Sequence, residues 1–303
     1  LQGLGTVEVP RAPTFSHARD FTRVAYFVLI DKKLLTVPQA RGDDICTDHY
    51  KTRFPMQNLN GKVAFVTGGS RGIGAAIVRR LAADGADVAF TYVSASSAEP
   101  ARALAQELTA QGRRAIAIQA DSADAAAVKR AVEDAIRELG PVDVLVNNAG
   151  IFLAGHVADT SLDDYERTMD INVRAPFVAI QTAQGSMPDG SRIINIGSCL
   201  APRAGRAGVA LYAASKSALV GLTQGLARDL GSRGITVNVV HPGPIDTDMN
   251  PADGDRAADL IAVLSLPHYG EARDIAGMVA FLAGPEGRYV TGASLAVDGG
   301  YAA

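Results

Sequence analysis

The sequence predicts an α/β fold, a single doubly wound parallel sheet of about seven strands with helices on both faces. Three observations predict it. Short apolar runs rich in β-branched residues recur along the chain from Lys62. Ala/Leu-rich stretches of helical period separate them, and glycine punctuates the ends of both. Apolar runs of this kind read as strands buried on both faces. Alternation with helices makes the sheet parallel, because crossovers place the helices on its two faces.

The first run is KVAFVTG (62–68), closed by glycine. GIGAAIVRRLAADG follows, with Ile73, Ile77, Val78 and Leu81 on one helical face and a stop at Gly85. ADVAFTY (86–92) is the second strand, and SAEPARALAQELTAQG the second helix, with Gly112 after its end. RRAIAIQAD, VDVLVNN, SRIINIGS and TVNVVHPG repeat the strand signal with helical segments between them, and SLAVDGG (294–300) supplies the last. Ligands of such sheets bind beyond the carboxyl ends of the strands, so those ends are where chemistry is expected.

At 303 residues the chain can hold one large α/β domain or two small ones. A 48% hydrophobic and 20% charged composition is ordinary for a globular protein, and the net charge of -3 leaves no basic footprint for a nucleic acid. No run of eighteen apolar residues is present, so no membrane span or membrane partner is expected. Cys46 and Cys199 make no disulfide framework and have no metal-ligand spacing, which suits a reducing compartment, here the cytoplasm.

Residues 1–55 differ from the rest. Eight basic residues against six acidic ones leave them near +2, so the remaining 248 carry about -5. They show no sustained period, and VAYFVLI (Val24 to Ile30) is their one solid apolar run. Arg11, Arg19 and Arg23 keep a transit peptide open, although the acids argue against one. The stretch reads as a poorly ordered leader or translated upstream sequence, and alternatively as an arm anchored by Val24 to Ile30. The domain proper is expected over 56–303, since Met56 stands just before QNLNGKVAFVTGG.

The first strand ends in Thr67-Gly68-Gly69-Ser70-Arg71-Gly72-Ile73-Gly74. Glycines here let the backbone approach a pyrophosphate, which sits on the amides of the following helix. The second strand ends at Tyr92-Val93-Ser94. An NAD site usually has an acid there for the ribose 2′-hydroxyl, and Tyr92 stands in its place. Without that carboxylate nothing repels a 2′-phosphate, and Arg71 and Ser94 can bind one, which favours NADP(H) over NAD(H). Arg71 is otherwise a solvated loop residue. The third strand ends in Asp121-Ser122, where Asp121 reads equally well as the N-cap of the next helix.

The strongest signal is Ser198, at the end of the fifth strand, followed by Tyr212-Ala-Ala-Ser-Lys216. Tyrosine and lysine four apart share a helical face. A free phenol titrates near pH ~10, and a nearby ammonium is expected to lower that value. A carbonyl awaiting hydride needs a proton donor, Tyr212, and a group to orient its oxygen, Ser198. Alone, the pair is an ordinary helix surface; after a serine-ended strand it is a catalytic constellation.

These motifs resemble the short-chain dehydrogenase/reductase family over about Asn60 to the C-terminus, and within it the 3-oxoacyl-[acyl-carrier-protein] reductase type. The resemblance implies a Rossmann-type fold and an enzyme interconverting a carbonyl and a secondary alcohol. It implies that Asp121 bonds the adenine amino group with Ser122 beside it, and that Asn148, Ala149 and Gly150 let the adenosine ribose lie close. Lys216 then holds the nicotinamide ribose, and Asn172, in MDINVRAPF, kinks its helix and holds a water that relays protons to the lysine. Pro242, Gly243, Ile245 and Thr247 cover the nicotinamide, while His241 reads as a structural residue. The resemblance also implies a homotetramer.

QGSMPDGSRIINIGS departs from the acyl-carrier reductases in lacking a long basic surface helix, which weakens a fatty-acid role. SALVGLTQGLARDLGSRGITVNVVHPGPIDTDMNPADG is similar to a subgroup that includes a cyclic-di-GMP-binding biofilm-dispersal protein, so nucleotide sequestration is the alternative function. Residues 251–270 are expected to form a mobile substrate lid, and with the loop Cys199 to Val209 to line the substrate pocket.

Overall fold

The computed structural model describes residues 58–303 and the backbone of residues 27–30 and 33–36. The chain divides into two compact units, residues 1–53 and 54–303. In the first, strands Phe27–Ile30 and Lys33–Thr36 pair antiparallel, Phe27 opposite Thr36 and Ile30 opposite Lys33. The other expectations for residues 1–55, a leader or an arm anchored by Val24 to Ile30, lie outside the described residues.

The second unit is built on one seven-stranded sheet. Its strands are β1 (Val63–Val66), β2 (Asp87–Tyr92), β3 (Ala115–Gln119), β4 (Val144–Asn147), β5 (Arg192–Ile196), β6 (Thr236–Pro242) and β7 (Ser294–Val297). All neighbours pair parallel, in the order β3-β2-β1-β4-β5-β6-β7. The order reverses between β1 and β4, which opens the crevice where such sheets bind ligands.

Strand side chains alternate between two cores. Ala64, Val66, Val88, Phe90, Val144 and Val146 face one side, with Ile77, Val78 and Leu81 of α1 (Gly72–Ala83), Leu104 and Leu108 of α2 (Ala98–Ala110) and Ile275 and Val279 of a C-terminal helix. Val63, Phe65, Ala89 and Leu145 face the other, against Val128 and Val132 of α3 (Ala125–Leu139) and Ile180 further on. This two-sided burial is why the strands read as continuous apolar runs. α1 stops as predicted, with Gly85 at φ +110°. The cap of α3 is Asp124, whose Oδ1 accepts from the Ala126 amide, and not Asp121. Asp121 instead turns the chain by accepting from the Ala123 amide.

Beyond β4 come α4 (Leu162–Met169), a π-helical turn (Asp170–Arg174) and α5 (Ala175–Ala183). α6 (Ala210–Leu230) is the longest helix of the described residues. The lid segment carries α7 (Ala257–Ala262), and α8 (Ala272–Ala283) follows. A two-residue parallel pair, Ile245–Asp246 with Gly270–Glu271, ties both ends of the lid together, a link no periodicity announces. No helix of the described residues is long and apolar enough to cross a membrane.

Candidate active site

The site is built from loops at the carboxyl ends of the strands. After β1 the chain turns through Gly68 (φ +65°) and Gly72 (φ +52°) into α1. The Gly68 amide donates to Thr91 Oγ1 at 2.9 Å, and the Gly69 amide to the Thr91 carbonyl at 2.9 Å. Gly74 packs so tightly that a Cβ there would stand 2.1 Å from the Gly68 carbonyl oxygen and 2.6 Å from Asn148 Nδ2. A side chain at this point would push the turn off the helix. Arg71, at the N-cap of α1, makes no side-chain cap, so the first-turn amides face the cleft uncapped, the arrangement that suits a phosphate.

Asn148 braces this turn. Its Nδ2 donates to the carbonyls of Thr67 (3.0 Å) and Gly68 (2.9 Å), and its backbone amide to Thr67 Oγ1 at 3.0 Å. The Ala149 amide shares that hydroxyl at 3.0 Å, and Gly68 leaves room for Ala149 against it. Thr91 is therefore part of the site although sequence reasoning did not single it out, and Thr67, the first residue of the quoted turn, belongs to it through its hydroxyl. Asn148 acts on protein carbonyls first, which sharpens the role implied by resemblance.

A cleft of about 890 Å³ runs along these ends. Gly68, Ser70, Arg71, Gly72, Ile73 and Gly74 line it, as do Tyr92, Ser94, Asp121, Ser122, Asn148, Ala149 and Gly150. So do Ser198, Tyr212, Lys216, Pro242, Gly243, Ile245 and Thr247. Ser96 and Ser97, unremarked in the sequence, join Ser94 there; the Ser94 hydroxyl bonds those of Ser96 at 2.8 Å and Ser97 at 3.1 Å. Arg71 is exposed, with Asp248 3.7 Å away.

Asn172 alone among the expected residues does not line the cleft; it is fully buried. It sits in the π-helical turn, so the expected kink is a widened turn, a device common at functional sites. Its Oδ1 accepts from the Ile151 amide at 2.9 Å, while Nδ2 donates to the Ile151 carbonyl and to Ser215 Oγ, both at 3.0 Å. Ser215 in turn donates to the Tyr212 carbonyl at 2.7 Å. Both amide hydrogens of Asn172 thus go to protein, which makes it a brace between the β4 loop and α6.

Tyr212 and Lys216 stand one turn apart on α6, the Lys216 ammonium 5.9 Å from the Tyr212 ring centre. Lys216 is 4% exposed and donates to the Ile196 carbonyl at 2.9 Å. Burial lowers it to about 8. Burial likewise pushes the Tyr212 phenol up to about 12, the facing Ser198 hydroxyl drawing it back and the Cys199 thiol adding to the rise. The lowered phenol expected from spacing is therefore not what the protein by itself presents. Loss of solvent is the largest cause of that rise, with the ammonium 5.9 Å from the ring centre.

The Ser198 hydroxyl accepts from the Leu200 amide at 3.1 Å, and Cys199 behind it is pushed up to about 12 by burial. His241 is structural, as expected. Its Nδ1 pairs with the Ser198 backbone and its Nε2 with Ser294 Oγ at 2.7 Å, and burial lowers its pKa.

The segment 251–270 contributes Arg256 and Leu260 to the cleft, and the loop after Ser198 contributes Cys199, Leu200 and Arg206. The remaining lid leucines do not line the cleft; Leu264 and Leu266 lie instead near Gly299, around a second, smaller cavity. Phe152, Arg167 and Tyr301 also line the cleft and carried no sequence signal, being single residues from distant segments.

Comparison with known proteins fits this geometry. A family model described as enoyl-(acyl carrier protein) reductase matches residues 68–302. The cyclic-di-GMP-binding biofilm dispersal mediator protein of Escherichia coli (strain K12) is 49% identical over 248 residues, 82% of this chain and 100% of that protein. A blue fluorescent protein from a metagenomic library, crystallised with NADPH, is 83% identical, with TM-score 0.81 over 82% of this chain and 100% of that one. A short chain dehydrogenase from Burkholderia cenocepacia J2315, crystallised with NADP, is 58% identical, with TM-score 0.80 over 81% of this chain and 100% of that one. With its sheet order, its glycine turn and its Ser198, Tyr212 and Lys216 cleft, the chain belongs to the short-chain dehydrogenase/reductase family of oxidoreductases.

Proposed function

We propose that the protein is an NADP(H)-dependent reductase converting a ketone, of 3-oxoacyl, β-ketoester or cyclic type, to a secondary alcohol. The observation that carries this reading is that Ser198, Tyr212 and Lys216 line the same cleft as the glycine turn. The bound cofactor supplies the hydride. Tyr212 holds a proton at its phenol oxygen, and a phenol at about 12 keeps it at neutral pH until a carbonyl oxygen gaining negative charge takes it. The Ser198 hydroxyl orients that oxygen. Lys216, charged below about 8, stabilises the phenolate left behind and is placed for the nicotinamide ribose hydroxyls. Asn172 and Ser215 fix α6 against the β4 loop and so keep Tyr212 in position.

The glycine turn fits a dinucleotide pyrophosphate, since Gly74 leaves no room for anything but bare backbone. Arg71 with Ser94, Ser96 and Ser97 suits a 2′-phosphate, and two similar proteins were crystallised with NADPH or NADP. Asp121 and Ser122 suit adenine, and Pro242, Gly243, Ile245 and Thr247 the nicotinamide. Residues 56–303 carry this activity and 1–55 are an extension, so a chain starting at Met56 is expected to retain it. Exposed Leu162, Tyr165 and Phe177 on α4 and α5 support a homotetramer, which light scattering tests.

Tyr212→Phe is expected to lower turnover of a ketone panel about 100- to 10,000-fold while NADPH still binds, read by the emission of the bound cofactor. Full activity in that variant overturns the mechanism. The 49% identity to a cyclic-di-GMP-binding protein favours a second reading, sequestration of that nucleotide in the cleft. Calorimetric binding of cyclic-di-GMP, without NADPH oxidation across the panel, would decide for it.

A further inference from the structure

The substrate end of the cleft holds a cationic ladder that the proton-transfer residues do not need. Phe152 stands edge-on to Tyr212, ring centres 4.8 Å apart at 79°. The Arg206 guanidinium lies over the Phe152 ring, 5.6 Å from its centre. Arg256, from the lid, lines the same end.

Arg206 is partly buried, and desolvation together with the like charge of Arg256 lowers its pKa. Among the described residues no carboxylate lies within ion-pair distance of either arginine. Of the acids lining the cleft, Asp248 stands beside Arg71 and Asp121 follows β3. A partly buried cation beside an exposed second one is a pair that an anion between them would favour.

The loop bearing Arg206 is held from several sides. The Gly155 amide donates to the Gly208 carbonyl at 2.9 Å, Arg203 Nη1 to the Tyr301 carbonyl at 2.8 Å, and Ser217 Oγ to the Ala201 carbonyl at 3.0 Å. These bonds fix the loop from which Arg206 reaches the Phe152 ring, and a guanidinium's planar fork matches an oxyanion through two parallel hydrogen bonds.

We propose that the ketone reduced here carries an oxyanion a few bonds from its carbonyl, gripped by Arg206 and Arg256 while the carbonyl meets Tyr212 and Ser198. This rests on the reductase reading and narrows its substrate class. Phe152 sets the spacing between the two grips.

The test compares acetoacetate, levulinate and benzoylpropionate with their methyl esters, and adds dihydroxyacetone phosphate to separate carboxylate from phosphate ester. The acids, or the phosphate, are expected to exceed the esters about 10- to 100-fold in kcat/KM, mainly through KM. The ratio should fall toward one in Arg206→Gln, less in Arg256→Gln, and recover in part in Arg206→Lys. Esters turned over as well as the anions, or a ratio that neither glutamine variant changes, overturns the proposal. If nothing is turned over, the reductase reading fails, and calorimetry on the NADPH-loaded protein still judges this one. There the anions must bind more tightly than the esters in the unmutated chain and lose that advantage in Arg206→Gln; equal affinities sink it. NADPH titration and thermal melting of each variant separate lost recognition from lost folding.

Discussion

The two ends of the cleft are built on opposite plans. The cofactor end is mostly backbone: a glycine turn held by Thr91 and Asn148, with uncapped amides at the start of α1. The substrate end is mostly side chain, Phe152, Arg206, Arg256 and Tyr301 arriving from four segments far apart in the chain. Backbone chemistry is the same for every ligand carrying a pyrophosphate, so the first end can be fixed. Side chains can change one at a time without moving the scaffold, so the second end is free to vary where the first is not.

Replacing Gly74 by alanine should break the first plan outright. Its Cβ would press on the Gly68 carbonyl and the Asn148 amide, and strain of about 1–3 kcal/mol weakens NADPH binding about 10- to 100-fold. Phe152→Leu, at the other end, should change ketone KM and leave NADPH affinity within about twofold. If Gly74→Ala bound NADPH normally, the contrast between the ends would collapse.

Asn148→Ala removes the two bonds to the Thr67 and Gly68 carbonyls and should cost about 1–3 kcal/mol, seen as a lower Tm and weaker NADPH binding together. Arg71→Ala should shrink the preference for NADPH over NADH by about tenfold in fluorescence titrations, since one charge-assisted contact is lost. Equal affinities for the two cofactors in the unmutated protein would refute that assignment.

The last effect is a slope. Lys216 is lowered by burial from 10.5 to about 8, so between those values the unfolded chain binds a proton that the folded chain releases. Stability from this group therefore rises with pH across that window, by no more than about 1.4 kcal/mol per pH unit. Lys216→Met removes the burden of the buried charge, and its stability relative to the unmutated protein should shrink from pH 8 to 10. Denaturant melts at both pH values read the difference, and a parallel pair of curves would show the ammonium is solvated after all.

Much of the cofactor end was legible because it is local. Thr67 to Gly74 is one unbroken run, and its glycines declare where backbone must approach a ligand. Tyr212 and Lys216 were legible for the same reason, sharing a helical turn. Asn148 was found as a motif but its action on the turn was not, since Thr67 and Asn148 meet only when β1 and β4 pair. Asp124 displaced Asp121 as a cap because the helix begins three residues later than the motif suggests.

By itself the sequence determined the parallel sheet, the place of the glycine turn and the identity of the Ser198, Tyr212 and Lys216 set, because strand burial, turns and helical spacing act over a few neighbouring residues. Only the tertiary structure decided that Tyr212 sits high in pKa, that Asn172 is a brace, and that Phe152, Arg206 and Arg256 share one end of a cleft. Those properties depend on burial and on contacts between residues far apart in the chain, such as Asn172 with Ser215 and Phe152 with Arg206, and neither is written in local order.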